Sequence, residues 1–232
     1  MATRLEPAAR RDQILAATLR LVARDGFARV TLRDVAAEVG VVHGLIRHYF
    51  PTREQLMAEA FDAAVLAELE GDEEVAERVE PVEALADWLT TTPRDHYFVW
   101  IDAWSEAHRN PELLAALTRH HRDCERRLAR IIERLAESGR GASADPAADA
   151  KILTALVDGL AVQHHAIDLI DRAEADRVVF TAAEERLGLE RGTLAASRPT
   201  AARGQWAAAG AAAGARAVVA SGPAEHRGRG IR

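Results

Sequence analysis

The stretch TLRDVAAEVGVVHGLIRHYF, residues 31–50, decides the fold. Its first apolar positions, Leu32, Val35, Ala36 and Val39, recur at three- and four-residue spacing, the period of a helix face rather than of a strand. Thr31 stands where an N-cap is needed, and Asp34 three positions on supplies the acidic partner of a capping box. Gly40 then offers the left-handed turn that reverses the chain. A second short helix, about His43 to Tyr49, ends at Phe50-Pro51, because the residue before a proline is pushed out of the helical region. Helix, glycine-containing turn, helix is the pattern that lays a second helix in the major groove of DNA, although many helical hairpins share the spacing.

The same signals extend in both directions. Upstream, Pro7 opens a helix whose stripe is Ile14, Leu15, Thr18, Leu21 and Val22, and Gly26 closes it. Downstream, Thr52 and Gln55 fit a second capping box, and Leu56, Met57, Ala60, Phe61, Ala64 and Val65 carry a stripe to about Glu70, before an acidic break from Gly71 to Glu80. Further helices are expected at about 82–91, 94–108, 111–138, 146–171 and 174–187, with Asn110-Pro111 a start signal of N-cap and proline. GRGASADP, 139–146, is a loop of small and polar residues, so the long helices on either side of it should pack antiparallel. From about 191 the chain is Ala, Gly and Arg in low-complexity order, and disorder is expected there, with a weak helix around Gln205 to Ala220. The reading is an all-α protein of about nine helices in three parts: a DNA-binding unit over 1–52, a helical ligand-binding and dimerisation unit over 53–190, and a tail over 191–232.

Composition narrows the function. The 232 residues carry a net charge of -6, which argues against a chain that coats itself in nucleic acid. That average hides an asymmetry. Residues 1–50 carry +3, with eight Arg against five acids, and residues 191–232 carry +6, which leaves -15 on 51–190. A duplex should meet the N-terminal end only. No run approaches the ~18 apolar residues of a membrane span, and the basic-then-apolar order of a signal peptide is missing, so a cytoplasmic protein with no membrane partner is expected. Cys124 is the one cysteine, which rules out an internal disulfide and a cysteine-based zinc site. The sequence has no glycine-rich phosphate loop, no His-Glu-x-x-His and no activated cysteine, so an enzyme is not expected and no cofactor is called for.

Extended to TLRDVAAEVGVVHGLIRHYFPTREQLMAEAF, the segment resembles the DNA-binding part of TetR/AcrR-family regulators, through its Gly-Val-x-x-Gly turn and Tyr-Phe-x-x-Arg-x-x-Leu continuation. The form His-Gly-Leu-Ile-Arg-His-Tyr-Phe is similar to the BetI-like subgroup, and Trp104-Ser-Glu-Ala, Asn110-Pro-Glu-Leu and Asp158-Gly-Leu continue the likeness more weakly. Residue types and resemblance assign roles together. Val35, Ala36, Val39, Leu45, Ile46 and Phe50 are apolar and most of them belong in a small core, which leaves Arg33, His43, Gly44, Arg47 and His48 for the bases. Thr31, Tyr49, Thr52 and Arg53 match positions that the family uses on phosphates, with backbone N–H groups at the starts of the second and fourth helices. Two departures stand out. Val42 occupies a position where relatives usually carry a capping Ser or Thr, and Arg53 one where Lys is common.

The resemblance implies a homodimer on double-stranded operator DNA, a repressor released from a palindrome by a small-molecule effector. Control by a protein partner is the alternative. Trp88, Tyr97, Trp100 and Trp104 concentrate aromatic rings in two helices, and Leu117 and His121 complete a candidate ligand lining. Such rings either cage a cation such as choline, as the BetI-like form implies, or simply form core. His120-His121 and His164-His165 are no metal site by themselves, since adjacent residues on a helix point about 100° apart. Glu106 and Asp158 are read as hydrogen-bonded structural acids.

Overall fold

The structure, a computed structural model, describes residues 6–69, 79–90 and 94–197. Among these there is no strand and there are ten α-helices. In chain order they are α1 (Pro7–Asp25), α2 (Leu32–Val39), α3 (His43–Tyr49), α4 (Arg53–Leu69), α5 (Pro81–Leu89), α6 (Arg94–Ala107), α7 (Pro111–Glu137), α8 (Pro146–Ala161), α9 (Arg172–Leu187) and α10 (Thr193–Ala196), with a π-helical turn, Val162–Ala166, continuing α8. The all-α reading holds. The acidic break over 71–78 and the tail beyond 197 lie outside the described residues.

Caps explain most boundaries. The Thr31 hydroxyl accepts from the Asp34 amide at 3.3 Å while the Asp34 carboxylate accepts from the Thr31 amide at 2.9 Å, so the capping box starts α2 as expected. Asp145 and Asp171 take the amides of Ala148 and Glu174 in the same way and start α8 and α9. Asn110 does more. Its Oδ1 accepts from the Leu113 amide at 3.0 Å, and its Nδ2 donates to the Glu54 carbonyl at 3.3 Å, so one buried side chain both caps α7 and ties it to α4. Val42, at the N-cap of α3, makes no side-chain cap.

Two apolar cores share the long α7. The first takes residues from α1 to α4 together with Trp100, Ala103 and Ala107 of α6 and Leu113, Ala116 and Leu117 of α7. Phe61 sits among its rings, edge-on to Phe27 at 6.4 Å, Trp100 at 5.0 Å and His120 at 5.8 Å. The second combines α5, the later turns of α7, α8 and α9 with Tyr97 and Leu194.

Two boundaries differ from the expectation. The helix expected over 146–171 leaves α-geometry at Ala161, passes through the π turn and stops before Asp168, which takes a left-handed φ of 52°. The apolar residues beyond it, Ile167 and Leu169, are exposed, so their helical spacing does not mark a buried face. Residues 193–196, which the sequence reading put in the tail, form α10. Leu194 of α10 is fully buried, and the Glu184 carboxylate accepts from the amides of Gly192 at 2.9 Å and Leu194 at 2.8 Å, an anion holding the start of a short helix. No helix among the described residues is long and apolar enough to cross a membrane.

Asn110→Ala removes the cap of α7 and its tie to the Glu54 carbonyl of α4. It should cost about 2 kcal/mol of folding free energy, read by urea unfolding.

Candidate nucleic-acid interface

α2 and α3 form a wedge whose inner side is apolar. Val35, Ala36, Ile46 and Phe50 are buried in the first core and Val39 packs against it, while Leu45 is half-buried. Gly40 adopts φ 75° and ψ 36°, the left-handed turn that a side chain would resist, and it swings α3 back across α2. The outer side of α3 follows from helical geometry. With Ile46 pointing in, Gly44, Arg47 and His48 point out and are exposed. His43 is half-buried, and Arg33 projects from α2 into solvent. At Gly44 a Cβ would meet nothing within 4 Å, so the bare backbone there faces open space. The His48 ring stands edge-on to Tyr49 at 5.3 Å.

The four residues expected at phosphates divide. Thr52 is exposed, its Oγ accepting from the Gln55 amide at 3.1 Å with the hydroxyl proton left over, and Tyr49 is half-buried at the end of α3. Thr31 is exposed, but its hydroxyl also donates to Asp34 at 2.7 Å within the capping box. Arg53 departs from the expectation. Its Nε donates to the Val30 carbonyl at 2.8 Å, a second nitrogen meets Glu106 at 3.2 Å, and a third donates to the Phe27 carbonyl. The guanidinium is turned toward its own protein because two free carbonyls and a buried carboxylate lie within its reach.

Glu106 is thus a structural acid, as expected, paired with Arg53 and at 3.9 Å with Arg109. Asp102, one turn earlier on α6, was not singled out by the sequence reading. Its carboxylate accepts from the Phe27 amide at 2.5 Å. Nothing in the local sequence signals a partner 75 positions away.

Of the six residues expected to line a ligand pocket, five divide between the two cores. Trp100 and Leu117 are buried in the first core with Trp104 packed against it, whereas Tyr97 and Trp88 belong with the second. Trp100 and Trp104 lie 6.1 Å apart, and Tyr97 stacks on His165 at 5.1 Å. His121 lies 3.6 Å from Glu125 and 3.9 Å from Asp158. Burial pushes the Asp158 carboxyl up to about 6; His121 pulls it down and Glu125 pushes it further up. His120 instead meets Asp62 of α4 at 2.7 Å. Among the described residues no group of three potential ligands gathers for a metal ion. A cleft of about 360 Å³ lies elsewhere, between α8 and α9, lined by Ile152, Leu153, Leu156, Ala182, Glu185 and Arg186.

Comparison with known proteins gives the following. Residues 14–60 match the model of bacterial regulatory proteins of the tetR family, and residues 75–188 match the C-terminal domain of BetI-type transcriptional repressors. The HTH-type transcriptional regulator PksA of Bacillus subtilis is 30% identical over 185 residues, 73% of this chain and 84% of that protein. The HTH-type transcriptional regulator BetI of Agrobacterium fabrum is 29% identical over 165 residues, 67% of this chain and 76% of that protein. The fold is also that of a protein from Saccharomonospora viridis solved in complex with choline, with TM-score 0.71, 24% identity and coverage of 79% of this chain and all of the other. A TetR transcription regulator from Haloarcula marismortui superposes with TM-score 0.66 at 19% identity, covering 78% of this chain and 97% of its own.

The raised Asp158 carboxyl gives a pH test. Its folded value lies above the ordinary 3.8, so its contribution to stability is fully present below about 4 and is lost as pH rises through about 6. Asp158→Asn should therefore gain stability over the wild type at pH 8, and the gain should vanish by pH 4. Urea unfolding at the two pH values reads it.

Proposed function

The chain belongs to the TetR family of regulators, with a BetI-type C-terminal domain, and from that premise we propose a homodimeric repressor whose hold on a palindromic operator is released by a small molecule. It is a DNA-binding transcriptional regulator; the relatives it matches are regulators and not enzymes. One observation carries the reading of DNA. α3 offers Gly44, Arg47 and His48 to solvent over a buried Ile46 and Phe50, so the polar side of a short helix is displayed by a rigid support.

Base reading is assigned to Arg47, with His43, Gly44, His48 and Arg33 beside it. A guanidinium fits the O6 and N7 of guanine, and Gly44 lets the helix approach the bases without a side chain between. Thr52 and Tyr49, with Thr31 and the first amides of α2 and α4, anchor to phosphates. Arg53 is left out of that group, because reaching a phosphate would break its bonds to Val30, Phe27 and Glu106. The division into a reading unit over 1–52 and an effector and dimer unit over 53–190 follows the same assignment.

Dimerisation is assigned to α8 and α9. Ile152, 47% exposed, and the exposed Ala155 and Gly159 share one side of α8 with the half-buried Leu156, while Val178, 39% exposed, and Ala182 continue it on α9. Small residues between larger apolar ones suit a two-fold copy packed as a four-helix bundle. Pairing would hold two recognition helices about 34 Å apart, one turn of DNA. For the effector, Tyr97 and Trp88 at the second core, Trp104 against the first and His121 beside Asp158 are the candidate lining, while Trp100 and Leu117 serve as packing. Choline, bound by the Saccharomonospora protein, is the first ligand to try. Any effector acts only through its different affinity for the two states of the protein.

The test is selection of bound duplexes from random DNA at stated salt. On the selected duplex Arg47→Ala should lose about 1–3 kcal/mol and relax the base preference, whereas Tyr49→Phe should weaken all duplexes alike. Ile152→Glu should yield monomers by light scattering. Equal losses for Arg47→Ala on selected and random DNA would contradict the assignment.

A further inference from the structure

The loop from Gly26 to Val30 joins α1 to α2 and is held from the far side by residues of the body. Asp102 on α6 accepts the Phe27 amide at 2.5 Å. Arg53 at the start of α4 donates to the carbonyls of Phe27 and Val30. Glu106, one turn after Asp102 on the same face of α6, takes Arg53 at 3.2 Å. The amide and the carbonyl of Phe27 are therefore both claimed by the body, while its ring is fully buried against Phe61.

The approach is too close to be incidental. Gly26 has φ +83°, and a Cβ there would stand 3.1 Å from the Asp102 carboxylate, so a glycine lets α6 come this near. Glu106 is buried, and a buried carboxylate stripped of its partner is strongly destabilising, which keeps Arg53 in place. α6 has a second connection. Tyr97, stacked on His165, lies five residues before Asp102, about 7.5 Å along the axis.

We propose that Asp102 and Glu106 are positioning residues for DNA recognition: with Arg53 they clamp the Gly26–Val30 loop to α6 and so fix the separation of the two reading helices. The inference rests on the homodimer reading above. Apolar packing of α1 on α4 holds the reading unit together, but it is non-directional. Charged hydrogen bonds to named backbone atoms set a register that packing alone does not.

The experiment uses the full chain, its selected palindromic duplex, the same duplex with its half-sites one base pair closer or further apart, and a single half-site. Asp102→Ala should bind the palindrome roughly tenfold more weakly, the scale of one lost hydrogen bond to a charged group. It should bind the half-site within about twofold of wild type, and its preference for the native spacing should shrink. Asp102→Asn keeps an acceptor for the Phe27 amide and should restore most of both. Hydrogen exchange at the Phe27 amide should be at least about tenfold faster in Asp102→Ala than in wild type. Equal losses on half-site and palindrome with the spacing preference intact would overturn the proposal, as would unchanged Phe27 exchange. Should the wild type sediment as a monomer, the dimer reading fails by itself, and the exchange measurement decides whether the clamp exists. Should Asp102→Ala fail to fold, Glu106→Gln takes its place, with loosened spacing expected and unchanged spacing fatal.

Discussion

The reading unit shares its core with the body. Ile14, Leu21, Phe27, Val35, Ile46 and Phe50 belong to one apolar cluster with residues of α4, and Phe61 of α4 is itself pressed against Trp100 of α6 and His120 of α7. The structure therefore continues the DNA-reading wedge into the body through one packed cluster, and a packed cluster passes displacement along instead of absorbing it. α6 is central to this. It gives Trp100 and Ala103 to the first core, Tyr97 to the second, and Asp102 and Glu106 to the loop behind the wedge.

Charge acts with that architecture. The exposed surface of α2 and α3 is locally basic through Arg33 and Arg47, while residues 51–190 carry -15. A duplex is drawn to the N-terminal unit and repelled from the segment over 51–190, which orients the encounter before any base is read. Arg53 shows why a count of charges is not a map of contacts. It lies next to the positive end in sequence, yet its three nitrogens answer Val30, Phe27 and Glu106.

What could be read from the sequence was what neighbouring residues decide. The capping box of Thr31 and Asp34, the reversal at Gly40, the stop before Pro51 and the start at Asn110 each involve groups within a few positions, and α2, α3 and α7 begin or end where those signals place them. What could not be read depended on distant partners. Leu194 is ordered because the second core receives it and Glu184 caps its helix; Asp102 matters because Phe27 happens to lie in front of it. The spacing of Tyr97, Trp100 and Trp104 put three rings on one side of a helix, and spacing says nothing about what faces them. Two cores meet along α6, so Tyr97 parts from Trp100 and Trp104. Periodicity misled for the same reason at Ile167 and Leu169, where apolar residues continue the pattern of α8 into solvent.

The account turns on α3 entering the major groove twice, once from each copy. Protection of guanine N7 from methylation on the selected duplex measures this directly. Two patches of protected guanines related by a dyad, centred about 10 base pairs apart, are predicted. One unbroken patch, or protection confined to minor-groove adenine N3, would contradict it.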